Sequence, residues 1–171
     1  MACKDAVRWL YRLDDHYAWQ SPFRVDRDWA FQDADGQTRL VLTADGMVTV
    51  MKRYAWDGCT PKACILDILV GTPDGAVYST TGKPKTYYAS LVHDALYQFL
   101  DGLPLTRAQC DECFFRLMER DRFALRHIYY GAVRIFGGLT RPITRRVRGT
   151  RGGRSIDCSD SGVAAVLTQS P

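Results

Sequence analysis

The stretch "TYYASLVHDALYQFLDGLPLTRAQCDECFFRLMERD", residues 86–121, decides the fold. Its apolar residues recur with a helical period on both sides of a break at Gly102 and Pro104. Thr86 stands where an N-cap would open the first helix, and Gly102 followed by Pro104 would stop it near Leu100. A second helix is predicted from near Thr106 to about Asp121. So short a connection favours an antiparallel hairpin. On the first helix His93, Leu96, Tyr97 and Leu100 share a face; on the second, Asp111, Phe114, Phe115 and Met118 do. If the two faces meet, Asp111 lies in an apolar interface beside His93 and Tyr97.

That placement has chemical consequences. A buried carboxylate is costly unless it is hydrogen-bonded, and an imidazole N–H and a phenol O–H are suitable donors. A histidine whose ring is oriented by a buried aspartate is the working half of a general base. His93, Asp111 and Tyr97 are therefore the candidate catalytic residues. Asp94, one position on, points about 100° away around the helix, so it could serve a neighbouring site without competing for Asp111. Upstream, "YAWDGCTP" offers a second carboxylate, Asp57, in a turn with exposed carbonyls. Two carboxylates with loop carbonyls and water make a hard-oxygen site suited to Ca²⁺. Against this stands the plainer reading that a helical His-Asp pair is simply solvated or satisfied within the fold.

Outward from the hairpin, "FRVDRDWAFQDADGQTRLVLTADGMVTVMKRYAW" alternates apolar and polar residues between "ADG" turns at 34–36 and 44–46. It predicts two to four short strands, with "TRLVLT" and "MVTVMKRYAW" the clearest. Residues 57–85 are punctuated by Gly, Pro, Asp and Thr. They read as loops with one short helical or extended piece near 65–70. A third helix is predicted from Phe123 to Phe136, ending at Gly137 and Gly138. The expected class is α+β: a small antiparallel sheet packed on a helical hairpin and a third helix. Residues 1–140 form the single domain (β-rich 20–56, loops 57–85, helices 86–137). Residues 141–171 read as an Arg-rich C-terminal extension.

The 171 residues suffice for one core, and 46% apolar with 25% charged residues is ordinary for a folded chain. No apolar run is long enough to cross a bilayer, and the N-terminus lacks the apolar core of a signal peptide. The expectation is synthesis in a reducing cytoplasm, with the six cysteines as thiols. "CTPKAC" and "CDEC" invite a zinc reading. Cys110 and Cys113, however, fall within a predicted helix, which favours buried free thiols. His16 and His127 lack an acidic partner at helical spacing, and no Gly-rich nucleotide loop follows a strand.

Taken in order, "WDGCT", "HDALY", "CDECFFRLM" and "YYGAVRIFG" resemble the phospholipase A2 superfamily, in particular its compact bacterial and fungal branch. The matching positions are Asp57, Cys59 and Thr60; His93, Asp94 and Tyr97; Asp111, Phe114 and Met118; and 129–137. The match covers about half of the chain. The resemblance implies that His93 takes a proton from water and that Asp111, helped by Tyr97, orients it. It implies that Asp57 and Asp94, with the Gly58 carbonyl, hold Ca²⁺ to polarise a glycerophospholipid ester. Leu96 stands where the secreted members carry a disulfide cysteine, and "GTPDGAVYSTTGKPK" lengthens the interval between Asp57 and the His-Asp pair. The chain also resembles a family of phage- and prophage-encoded proteins in "DGCTP", "GTPDG" and "LVHDALY". That resemblance implies a phage context and no particular activity.

The net charge of +4 is a local property. Arg141, Arg145, Arg146, Arg148, Arg151 and Arg154 lie in one acid-free segment, and without them 17 basic residues face 19 acidic ones. Such an arm suits phage structural proteins or anionic lipid, with DNA behind them as a partner. Its plainer reading is a solvated extension. Two functions are therefore expected to compete. One is a phage-associated, calcium-dependent phospholipase A2-like hydrolase acting on phospholipid or membrane. The other is a virion component, of a tail or an ejected set, whose phospholipase-like core is a scaffold docked by the arm. Either is made in the host cytoplasm and can enter the virion.

Overall fold

The computed structural model describes residues 11–56, 58, 63–65, 68–70, 77–79, 81–136 and 154–157. They form an α+β arrangement. Nine strands are described: β1 (Tyr11–Arg12), β2 (Tyr17–Gln20), β3 (Trp29–Gln32), β4 (Thr38–Leu42), β5 (Met47–Val50), β6 (Ala55–Trp56), β7 (Ala63–Ile65), β8 (Ile68–Val70) and β9 (Arg154–Asp157). The three helices are α1 (Tyr87–Gln98), α2 (Arg107–Arg120) and α3 (Arg126–Phe136). The main sheet runs β2-β5-β4-β3-β9 and is antiparallel throughout, while β1 pairs with β6 and β7 with β8.

The "ADG" turns do what their sequence predicts. Gly46, at φ +96°, turns the chain between β4 and β5, and any Cβ there would come within 2.1 Å of the Phe23 carbonyl oxygen. Only glycine meets both demands. In the turn between β3 and β4, Asp33 accepts the backbone N–H groups of Asp35 and Gln37, each at 3.0 Å, and the Arg39 guanidinium at 2.6 Å. Burial raises the Asp33 pKa, but Arg39 and these N–H groups outweigh it and hold it below the usual carboxylate value.

Strands β1 and β2 begin ahead of the β-rich region expected from residue 20. At two and four residues they are too short to show a period, and β1 depends on distant β6 for its pairing. The piece expected near 65–70 is the paired strands β7 and β8. Within the segment read as an extension, 154–157 pair with β3 as an edge strand. The rest of residues 141–171, and with it most of the arginine segment, lies outside the described residues.

One core joins the sheet to the hairpin. Phe31, Leu40, Leu42, Val48 and Val50 from the sheet meet Leu91, Leu96, Phe114, Leu117 and Met118 from the helices, all essentially inaccessible. The Phe31 and Phe99 rings lie 5.5 Å apart. Buried Trp56 donates its indole N–H to the Ser90 hydroxyl at 3.2 Å, tying β6 to α1. Ala30, Val41 and Met51 form a smaller cluster of their own.

The helix ends follow local chemistry. Thr106 opens α2 with a capping box: its hydroxyl accepts the Gln109 N–H, and the Gln109 side chain accepts the Thr106 N–H at 2.8 Å. Thr86 precedes α1 as expected but makes no side-chain capping bond. The C-terminus of α2 is a Schellman motif: Phe123 N–H reaches the Met118 carbonyl and Arg122 N–H reaches that of Glu119. Arg122 takes the left-handed φ of +50° that glycine usually supplies there. That motif explains why α3 begins at Arg126 and not at Phe123, whose N–H belongs to the previous helix.

Candidate active site

The hairpin meets as its spacing predicts. His93 reaches Asp111 and Phe114, while Tyr97 reaches Asp111 and Arg107, so positions advance along α1 as they fall back along α2. The helices are therefore antiparallel. Asp111 is wholly buried (0% exposed) and the His93 side chain nearly so (16%).

His93 Nε2 lies 3.1 Å from Asp111 Oδ1, and the Tyr97 hydroxyl donates to the same oxygen at 2.5 Å. Burial by itself would raise the Asp111 pKa. The bonds from His93 and Tyr97, with the charges of His93 and Arg107, overcome it and hold the carboxyl below its usual value. An ionised carboxylate only accepts hydrogen bonds. The proton between the two side chains therefore belongs to Nε2, and in a neutral imidazole the lone pair then sits on Nδ1. The Tyr97 phenol shifts the other way, its pKa raised by burial and by the bond to Asp111. Its ring packs against the imidazole with centroids 4.1 Å apart, and Phe114 lies 4.9 Å from it. The ring is thus held by packing as well as by its bond.

Two arginines complete the cluster. Arg107 Nε donates to the Tyr97 oxygen at 3.1 Å, and its Nη2 donates to the Val133 and Arg134 carbonyls at 3.1 and 2.7 Å. Asp111 Oδ2 makes no hydrogen bond among the described residues, although it is buried. Arg107 Nε at 3.9 Å and Arg134 Nη1 at 3.5 Å approach it as charges. Neither arginine was singled out in the sequence. Arg107 had a signal, four residues before Asp111 on one helical face. Arg134 had none.

Asp94 lies elsewhere. It is half-buried, and its Oδ2 is 3.2 Å from the Tyr54 hydroxyl, which also lies 2.9 Å from Gln98 Oε1. A phenol has a single proton. All three groups are satisfied when Tyr54 donates to the carboxylate and the Gln98 amide, turned over, donates to the phenol oxygen. The two carboxylates thus serve separate networks, as the 100° offset anticipated. Tyr54 had no signal; Gln98 stands four positions from Asp94 and could have been paired with it. Gly58 is half-buried at φ +81°. Asp57, the other expected metal ligand, lies outside the described residues. Among the described residues, no three His, Cys, Asp or Glu side chains converge as a metal site.

Cys110 and Cys113 are buried free thiols on α2, and burial pushes both up to about 12. Without a metal they stay protonated at neutral pH. His16 accepts the Lys52 N–H at 3.2 Å on the surface, and exposed His127 packs on Phe115. A cleft of about 410 Å3 lies at the far end of α2, lined by Tyr78, Lys85, Arg120 and Arg122 among others. It includes none of the residues around His93. Its Arg120 is already held by Asp121, at 2.8 and 3.2 Å, and by the Tyr17 hydroxyl at 2.7 Å. Among the described residues the buried polar network is therefore at the hairpin. Compared with family models, curated proteins and solved structures, the chain matches none.

Proposed function

We propose that the protein is a phage-associated, calcium-dependent lipid-ester hydrolase of phospholipase A2 type, with His93 as its general base. The observation that carries this reading is the convergence of His93 Nε2 and the Tyr97 hydroxyl on one oxygen of fully buried Asp111. It fixes the ring and leaves the Nδ1 lone pair to accept a proton.

In this reading a water gives its proton to His93 Nδ1 as its oxygen adds to the ester carbonyl carbon. The C–O bond to the lysolipid then breaks, and His93 returns the proton to the departing alkoxide. Asp111 and Tyr97 hold the ring through both transfers. Asp57 and Asp94, with the Gly58 carbonyl, would hold Ca²⁺. Bound there, it would polarise the carbonyl and favour the developing oxyanion. The hard-oxygen character of these donors suits calcium, and the half-buried Asp94 carboxylate accepts a hydrogen bond from the Tyr54 phenol.

A lipid surface as substrate is supported by α3. Leu125, just before the helix, and Ile128 and Ile135 on it are 47%, 64% and 64% exposed. An exposed apolar ridge of this kind suits a bilayer surface. No helix of the described residues is long and apolar enough to cross one. The competing virion-scaffold reading draws on one observation. Arg107 and Arg134 place two positive charges beside Asp111, as a purely structural network would.

The test is fatty-acid release from phospholipid vesicles with and without calcium, alongside calcium titration by calorimetry. The proposal expects release that requires calcium, and calcium binding that Asp94→Asn weakens at least tenfold, by about the 1.4 kcal/mol one order of affinity represents. Wild-type protein that releases no fatty acid from any lipid tested would leave the scaffold reading in its place.

A further inference from the structure

We infer that Arg107 is a positioning residue of the His93–Asp111–Tyr97 cluster, one that makes the cluster's geometry depend on the C-terminus of α3. Its role in hydrolysis rests on the function proposed above; its role in geometry does not.

Arg107 is the first residue of α2, yet its side chain joins all three helices. Nε donates to the Tyr97 oxygen on α1, and Nη2 donates to the Val133 and Arg134 carbonyls in the last turn of α3. The last four carbonyls of a helix lack intrahelical partners and carry the negative end of its dipole. A guanidinium is therefore well placed there. Because it is a rigid planar fork, anchoring Nη2 also fixes the direction of Nε.

The consequence falls on Tyr97. Its oxygen has one proton and must accept from Arg107, so that proton is directed to Asp111 Oδ1. A donor feeding into the phenol also polarises its O–H and strengthens the onward bond. Asp111 depends on this more than a carboxylate bonded at both oxygens would. His93 and Tyr97 share Oδ1, and among the described residues Oδ2 has only charge neighbours. Loosening Tyr97 releases the carboxylate to rotate, and the imidazole with it. Arg107 thus acts through Tyr97 and Asp111, without touching the reacting atoms.

Lysine at 107 could keep a charge near the α3 carbonyls but cannot hold both bonds in the fork geometry. The experiment follows the Tyr97 hydroxyl proton and the His93 Nε2–H by NMR in wild type, Arg107→Gln and Arg107→Lys, with kcat and KM on vesicles. Both variants are expected to lose the slowly exchanging Tyr97 hydroxyl signal and to broaden the His93 ring N–H. A fall in kcat of about tenfold, with KM changed by less than about twofold, should accompany this. If Arg107→Gln fails to fold, Arg107→Lys carries the test alone. Unchanged proton signals in a folded variant, whatever its stability, would reduce Arg107 to a cap on α3 and overturn the inference. Should wild type release no fatty acid, the proton signals still decide the matter.

Discussion

The sheet and the helical hairpin share one core but are held together differently. On the sheet side the residues that enter that core are hydrocarbon: Phe31, Leu40, Leu42, Val48 and Val50, all at 0% exposure. On the hairpin side the same cluster admits Asp111, also at 0%, with His93 and Tyr97 bonded to it and two arginines beside it. Burying apolar surface is favourable wherever shapes fit. A buried carboxylate must be compensated group by group and is often no better for stability than a hydrocarbon of equal size. The sheet therefore serves stability. The hairpin's polar cluster, in the reading proposed here, serves chemistry, so substitutions in the two regions should separate folding from activity.

The largest loss of stability is expected from Asp111→Ala. It leaves an imidazole N–H and a phenol O–H without their acceptor and two guanidinium charges without their counter-ion. About 3–5 kcal/mol should disappear in urea denaturation, together with hydrolysis. Leu40→Ala should cost about 2–5 kcal/mol through the cavity it leaves. Activity per folded molecule should not change, and an equal loss of activity would blur the distinction between the regions.

Acid should act on the hairpin next. The Asp111 carboxyl is depressed in the folded protein, so its stabilisation is complete above the unfolded carboxylate value, about 3.9. It is lost as the pH falls through the lower folded value. Asp33 contributes in the same direction from the sheet. Denaturation midpoints measured between neutral pH and pH 2 should fall, and less steeply in Asp111→Asn. The smallest effect is a gain. Arg122→Gly relieves a left-handed backbone outside both regions and should add up to about 1 kcal/mol without altering activity.

What could be read in the sequence follows the range of the interactions. The hairpin was legible because helical period and turn residues are local, and matching the two stripes put Asp111 beside His93 and Tyr97. The "ADG" turns marked the β3–β4 and β4–β5 connections for the same reason. Strand β1 was not legible, because its two residues pair across some forty positions with β6. The early start assigned to α3 failed because Phe123 satisfies Met118 of the preceding helix. Arg134 reaches Asp111 only once α3 has docked, and nothing in its own neighbourhood announces that. Tyr54 meets Asp94 across 40 positions for a similar reason.

The most direct test of this division is His93→Gln, with the urea midpoint and calcium-dependent fatty-acid release measured on the same sample. Glutamine keeps an N–H donor near Asp111 but supplies no base. A midpoint close to that of the wild type is expected, with release at the level of the buffer. Release at the wild-type rate by a folded His93→Gln protein would contradict the division.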